Sequence, residues 1–101
     1  MPAQLRLYTI NKGHMDDFVA AWSKGVYPLW LKHGFKIERA GVIQESNQFM
    51  WVLSHDDPVD WEAKEKAYYA SPERKSLTPD PSQWIARAER YFISQVIPRP
   101  R

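Results

Sequence analysis

Six elements follow one another along this 101-residue chain in the order strand, helix, strand, strand, helix, strand. That order admits few folds. Two crossovers, each carrying a helix, and one hairpin close into a single βαββαβ unit. Its four strands form an antiparallel sheet, and its two helices lie on one face. The length fits one domain over 1–101.

The individual elements rest on periodicity. Gln4 to Ile10 alternates, with Leu5, Leu7 and Thr9 on one face and Arg6, Tyr8 and Ile10 on the other. Asn11-Lys12-Gly13 breaks the strand, and Gly13 is the expected N-cap of a helix. Asp16 and Asp17 then fall in the first turn, where carboxylates favour the positive end of the dipole. Met15, Phe18, Val19, Trp22, Val26, Leu29 and Trp30 make its apolar face, and Lys32, His33 and Gly34 close it. Pro28 removes one backbone bond, so the helix should kink or split near Gly25. Phe35 to Gln44 reads as the second strand, with a bulge or close backbone approach expected at Gly41. Residues 45–48 form a turn. Phe49 to Leu53 is apolar on both faces and is expected to lie centrally in the sheet. Asp57 and Pro58 are the expected N-cap and first residue of a second helix that runs through Trp61 to about Ala70. Pro72, Pro79 and Pro81 mark a loop with a short helical turn, and Trp84, Ile85 and Ala88 another short turn. Arg90 to Ile97 reads as the last strand, stopped by Pro98.

Composition narrows the chemistry. Hydrophobic residues are 44% and charged residues 26%, a globular balance that argues against disorder. The net charge is +2 with acids and bases interleaved, so no basic stripe offers itself to nucleic acid. With no cysteine, disulfides, thiol catalysis and zinc–thiolate sites are excluded. No apolar stretch approaches the roughly 18 residues of a membrane span, and no signal peptide is visible at the start, so a cytoplasmic location is expected. Two helices cover only one face of a four-stranded sheet, yet the strands carry apolar groups on both. An identical sheet is the simplest cover, and a homodimer through the open sheet face is expected.

No catalytic motif stands out, and the candidates come from single residues. His14, His33 and His55 lack metal-ligand spacing, and no metal or cofactor is expected. His14 and His33 sit at helix ends and read as surface residues. His55 leaves the third strand towards the space between sheet and helices, with Asp56 and Asp57 placed to orient its ring. The competing reading is that Asp57 caps the helix and His55 is solvated. Tyr8 is the second acid–base candidate. Five Trp and five Tyr exceed what so small a core requires; Trp51, Trp61 and Tyr68 are candidate ring surfaces for an apolar or aromatic ligand. Core packing and a dimer seam would use the same rings. Arg6 and Arg39 lie in strands, where a cation needs a partner. They could meet a ligand carboxylate or enolate, or pair with Glu38 or Glu89.

The opening Leu5-Arg6-Leu7-Tyr8-Thr9-Ile10-Asn11-Lys12-Gly13, followed by Phe18 and Trp22, resembles the start of the NIPSNAP family, whose pattern is roughly Leu-Arg-x-Tyr-x-Ile-x-x-Gly before an amphipathic helix. Lys32-His33-Gly34-Phe35, Gly41 and Asn47-Gln48 are similar to that family too. The chain departs from it in the third strand, where Trp51-Val52-Leu53-Ser54-His55 replaces a frequent His-Leu-Trp-x-Tyr run, and near Trp61, where an arginine is common. The resemblance implies a ferredoxin-like α+β subunit that dimerises through its sheet as a dimeric α+β barrel. That superfamily includes cofactor-independent monooxygenases, cyclases, isomerases and haem-degrading enzymes, whereas most NIPSNAP members have no assigned reaction. Two readings stand side by side. One is a small enzyme moving protons on an apolar or aromatic molecule, with His55 or Tyr8 as acid or base. The other is a non-enzymatic binding or interaction module, with haem binding as a further alternative.

Overall fold

The alternation in the first strand decides the layout, because only one of its two faces can turn towards the helices. A computed structural model describes residues 3–56 and 60–96. It builds β1 from Ala3–Ile10, and Gln4, Arg6, Tyr8 and Ile10 form the buried face. The sheet order is β2-β3-β1-β4, with β2 at Lys36–Ile43, β3 at Gln48–Ser54 and β4 at Ile85–Ile93. All pairings are antiparallel. The fold is thus ferredoxin-like βαββαβ, and β3 is central as its two apolar faces require.

Register aligns the buried face. Tyr8 lies opposite Phe49, Arg6 opposite Trp51 and Gln4 opposite Leu53. The helices close over these residues. Phe18, Trp22, Val26, Leu29 and Trp30 from the first crossover meet Phe49, Trp51 and Leu53 below. Edge-to-face contacts tie the rings together, including Phe18–Phe49 at 5.1 Å and Trp22–Trp51 at 5.4 Å. Leu5, Leu7, Met50 and Val52, on the opposite face, take no part in this core.

The first crossover is split as Pro28 demands. Helix α1 spans Met15–Ala21 and α2 spans Tyr27–Lys32, and between them Trp22–Val26 forms one turn of π-helix. The Tyr27 N–H reaches back five residues to the Trp22 carbonyl. Pro28 has no N–H to give to Lys24, so the ladder widens just before it. The N-cap of α1 is His14 rather than Gly13, which sits in the preceding turn at φ +84°, a conformation that suits glycine. Gly34, at φ +85°, ends the crossover as its sequence position suggests.

Three boundaries differ from the sequence reading. The irregularity in β2 falls between Ile37 and Arg39, so Glu38 and not Gly41 is the extra residue. A Cβ on Gly41 would meet nothing nearer than the Met50 sulfur at 3.8 Å. Helix α3 spans Trp61–Ala70 with Asp60 at its N-cap, later than the expected start; Asp57 and Pro58 lie outside the described residues. The last strand begins at Ile85 instead of Arg90 and ends at Ile93, and Ile97 and Pro98 lie outside the described residues. Trp84, Ile85 and Ala88 therefore do not share a turn: Trp84 closes a 3₁₀ turn, Pro81–Trp84, and the other two are in β4. Pairing with β1 overrides the weak local signal there. A short helix α4, Pro72–Lys75, follows α3.

Candidate functional site

The shift in β4 has a chemical consequence. It places Arg90 directly opposite Arg6, with both on the helix-facing side of the sheet. Two guanidinium groups at cross-strand distance repel unless an anion separates them. Glu65, from α3, supplies it. One carboxylate oxygen stands 3.2 Å from Arg6 Nη2, and the other accepts a hydrogen bond from Arg90 Nη1 at 3.1 Å. The Trp61 indole N–H donates to the first of these oxygens at 2.9 Å. Arg6 itself is 0% exposed. Its Nε donates to the Gln4 side-chain carbonyl at 2.8 Å and its Nη1 to the Tyr69 hydroxyl oxygen at 3.0 Å. The cation also lies 5.1 Å from the Trp30 ring centre and 5.2 Å from that of Trp51. A buried charge is tolerable only when paired in this way.

This network forms the wall of an open cleft of about 970 Å³ between α3 and β4. Trp61, Glu62, Glu65, Lys66, Tyr69 and Ala70 line the helix side. Gln4, Arg90 and Phe92 line the sheet side, and Asp60, just before α3, and Lys75, in α4, complete the lining. Phe92 meets Trp61 edge to face at 5.2 Å and is nevertheless 63% exposed. Because Tyr69 accepts from Arg6, its own hydroxyl hydrogen remains available for a molecule in the cleft. The arrangement can therefore hold a ring, bind an anion and donate a proton at one place.

The space under the first crossover is different. There a cavity of only about 30 Å³ remains, with Tyr8, Trp22, Trp30, Trp51 and Tyr68 among its walls. Tyr68 stacks on Trp30 at 3.6 Å. Burial pushes the Tyr68 hydroxyl pKa above the usual tyrosine range. Burial also raises that of Tyr8, with a contribution from Tyr69, against the opposing pull of Arg6. Both phenols thus stay protonated and neutral in the folded chain.

The sequence candidates distribute unevenly over these two regions. Trp61 lines the cleft and Arg6 backs it. Tyr8, Trp51 and Tyr68 belong to the packed interior. Arg39 is exposed on β2 and makes no ion pair among the described residues. His55 is 1% exposed, wedged 5.3 Å from Phe35 and 5.3 Å from Trp61, and neither ring nitrogen has a partner among the described residues. Asp56 does not orient it, since it pairs with Lys36; Asp57 lies outside the described residues. Arg6 pairs with Glu65 and not with Glu38, which accepts from Ser54, or Glu89, which pairs with Arg87.

Sequence reading missed Glu65, Tyr69, Arg90 and Phe92. One signal was available: Trp61, Glu65 and Tyr69 recur at four-residue intervals and so share a helix face. Arg90 and Phe92 depend on strand register, which the late placement of β4 hid. No group of three or more metal-ligating side chains occurs among the described residues, and no helix among them is long and apolar enough to cross a membrane.

No family model matches the chain, and no curated protein matches it in sequence. Solved structures do. An uncharacterized NIPSNAP domain protein from Burkholderia xenovorans superposes with a TM-score of 0.84 at 16% identity, over 100% of both chains. A NIPSNAP family protein from Agrobacterium tumefaciens gives 0.83 at 12% identity, over 95% of this chain and 93% of that one. A putative antibiotic biosynthesis monooxygenase from Bacteroides thetaiotaomicron gives 0.73 at 17% identity, over 99% and 93%. The chain therefore has the fold of NIPSNAP domain proteins, a fold also found, at greater distance, in a protein described as an antibiotic biosynthesis monooxygenase.

Proposed function

We propose that this chain is a NIPSNAP-type protein that binds a small apolar or aromatic molecule in the cleft between α3 and β4 and acts on it by proton transfer. The observation that supports this reading is the fully buried Arg6. Through Glu65 and Tyr69 it ties an open cleft of about 970 Å³ to a fixed charge. Binding sites regularly combine apolar walls with a few fixed polar groups, as this cleft does. Tyr69 is the proton donor, and the Arg6–Arg90 pair steadies negative charge developing on the ligand. The likeness in fold to a protein described as a monooxygenase is compatible with oxygenation, cyclisation or isomerisation. Haem fits less well, because none of the three histidines lines the cleft.

The test is a thermal-shift and NMR screen with aromatic ketones, quinols and aromatic acids, followed by turnover assays on the hits. Tyr69→Phe should keep binding and lose most of the turnover. Binding without turnover in the wild-type chain would favour the non-enzymatic reading. A screen in which no compound perturbs residues of α3 or β4 would end the proposal.

The open face of the sheet supports the second part of the reading, a homodimer. Leu5, Leu7, Met50 and Val52 form its centre, with Arg39 on one side and Arg87 and Glu89 on the other. A second copy would cover the apolar strip. Sedimentation at micromolar concentration should show a dimer, and a stable single subunit would remove this part alone.

A further inference from the structure

We infer that the α3–β4 cleft selects an aryl-alkanoic acid, an aromatic ring joined by a short chain to a carboxylate, and holds it in one direction. This rests on the cleft being the ligand site proposed above.

The argument begins with how the two walls keep step. Trp61 faces Phe92, and one helical turn further on Glu65 faces Arg90. Four helical residues advance about 6 Å, and the two strand residues from Phe92 to Arg90 advance about 7 Å. The aromatic pair and the charged pair are therefore successive rungs about 6–7 Å apart. A two-carbon chain between a ring and a carboxylate bridges that distance.

Charge sets the sign of the ligand. Arg6 and Arg90 share a single carboxylate, so the cluster retains one positive charge. Lys66, the residue after Glu65, and Lys75, beyond the C-terminal end of α3, also line the cleft; both are exposed, and neither has an acidic partner among the described residues. The aromatic end is opposite in sign: Asp60 and Glu62 flank Trp61 and have no cationic partner among the described residues. A carboxylate is drawn to the Arg90 end and repelled from the Trp61 end, which fixes the direction of binding. Phe92 gives the ring a reason to be there. It is 63% exposed although its neighbour Trp61 is only 9% exposed, so one side of the aromatic pair is left open to an incoming ring.

The test compares three probes of one shape: 3-phenylpropanoate, 3-phenylpropan-1-ol and 3-phenylpropylamine. Binding is followed by the NMR signal of the Trp61 indole N–H, assigned with Trp61→Phe. The acid should move that signal and bind at least tenfold more tightly than the alcohol, with the amine weakest. The preference should shrink in high salt. Replacing both exposed lysines, Lys66→Gln with Lys75→Gln, should weaken the acid several-fold and leave the alcohol unchanged. Phe92→Ala should weaken acid and alcohol alike. Equal affinity for acid and alcohol, with the indole signal still moving, would overturn the selection for an acid and leave the cleft as a ligand site. If no probe moves the indole signal, the cleft reading fails and takes this inference with it.

Discussion

Two halves of one layer behave in opposite ways. Between the first crossover and strands β1 and β3, rings fill the space and leave a cavity of about 30 Å³. Between α3 and β4 the same sheet face opens into a cleft of about 970 Å³. The packed half is held by apolar contact; the open half is held by ions at its wall. Arg6 lies at the boundary and belongs to both, with its guanidinium against Trp30 and Trp51 on one side and Glu65 on the other. Five tryptophans in a short chain therefore do not by themselves signal a ligand site. Most of them are structural, and the opening is found where charge replaces them.

The largest effects should come from the packed half. Trp30→Ala removes a fully buried ring that touches Tyr68, Phe35 and Trp51, and should cost about 3–5 kcal/mol in denaturant unfolding. A loss below about 1 kcal/mol would mean that this half is loosely packed after all. At the boundary, Arg6→Ala leaves the Gln4 carbonyl and the Tyr69 hydroxyl without their donor, while Glu65 keeps Arg90, and should cost less, about 1–3 kcal/mol. A double-mutant cycle with Glu65→Gln should be non-additive, because both substitutions break the same Arg6–Glu65 contact; a strictly additive pair would separate the two halves energetically.

Alkaline pH tests the same contrast without mutation. The folded pKa values of Tyr8 and Tyr68 lie above the free value of 10.0, and both groups are neutral when protonated. Their contribution to stability is complete below pH 10 and declines as pH rises towards the folded values. In an ultraviolet titration, phenolate absorbance from these two should appear only as the chain unfolds. Early and reversible ionisation of all five tyrosines would place Tyr8 and Tyr68 nearer water than the structure does.

Smaller effects belong to the periphery. Asp80 caps the 3₁₀ turn before β4 through the Ser82 N–H and also meets Arg74 at 3.2 Å. Partial burial works against its charge, but the Ser82 bonds and Arg74 hold its pKa below the usual range. Its stabilisation is present above the free carboxylate pKa and fades as pH falls through the lowered value. Asp80→Ala should cost about 1 kcal/mol near neutral pH and less in acid. Phe92→Ala should change stability least, within about 0.5 kcal/mol, because the ring is mostly in water. A large loss there would turn the exposed half of the layer into another piece of core.

The fold was more legible than the site because it rests on short-range patterns. Alternation in β1, the two-faced apolarity of β3 and the glycine after Lys32-His33 each carry a local physical cause, and each survives in the structure. The site depends on which residues face each other across strands. The sequence pattern starts the last strand at Arg90, whereas that residue lies well inside β4, so its pairing with Arg6 is not readable from the pattern. Nothing local distinguishes Glu65 from Glu62, so its place between two arginines has no sequence signal of its own. His55 stands beside acidic residues in the sequence, but its ring is buried against Phe35 and Trp61, and Asp56 pairs with Lys36 instead.

The widened turn at Trp22–Val26 bears on how this chain tolerates change in length. Phe18, Trp22, Val26 and Trp30 repeat at every fourth residue. On a regular helix of 3.6 residues per turn such a series precesses by about 40° per step, or about 120° over three steps. The wide turn absorbs much of that precession and returns Trp30 to the side that Phe18 occupies. One residue within it is effectively surplus. A natural relative shortened by a single position there could keep both ring contacts, whereas an equal deletion inside α3 would swing Tyr69 away from Arg6.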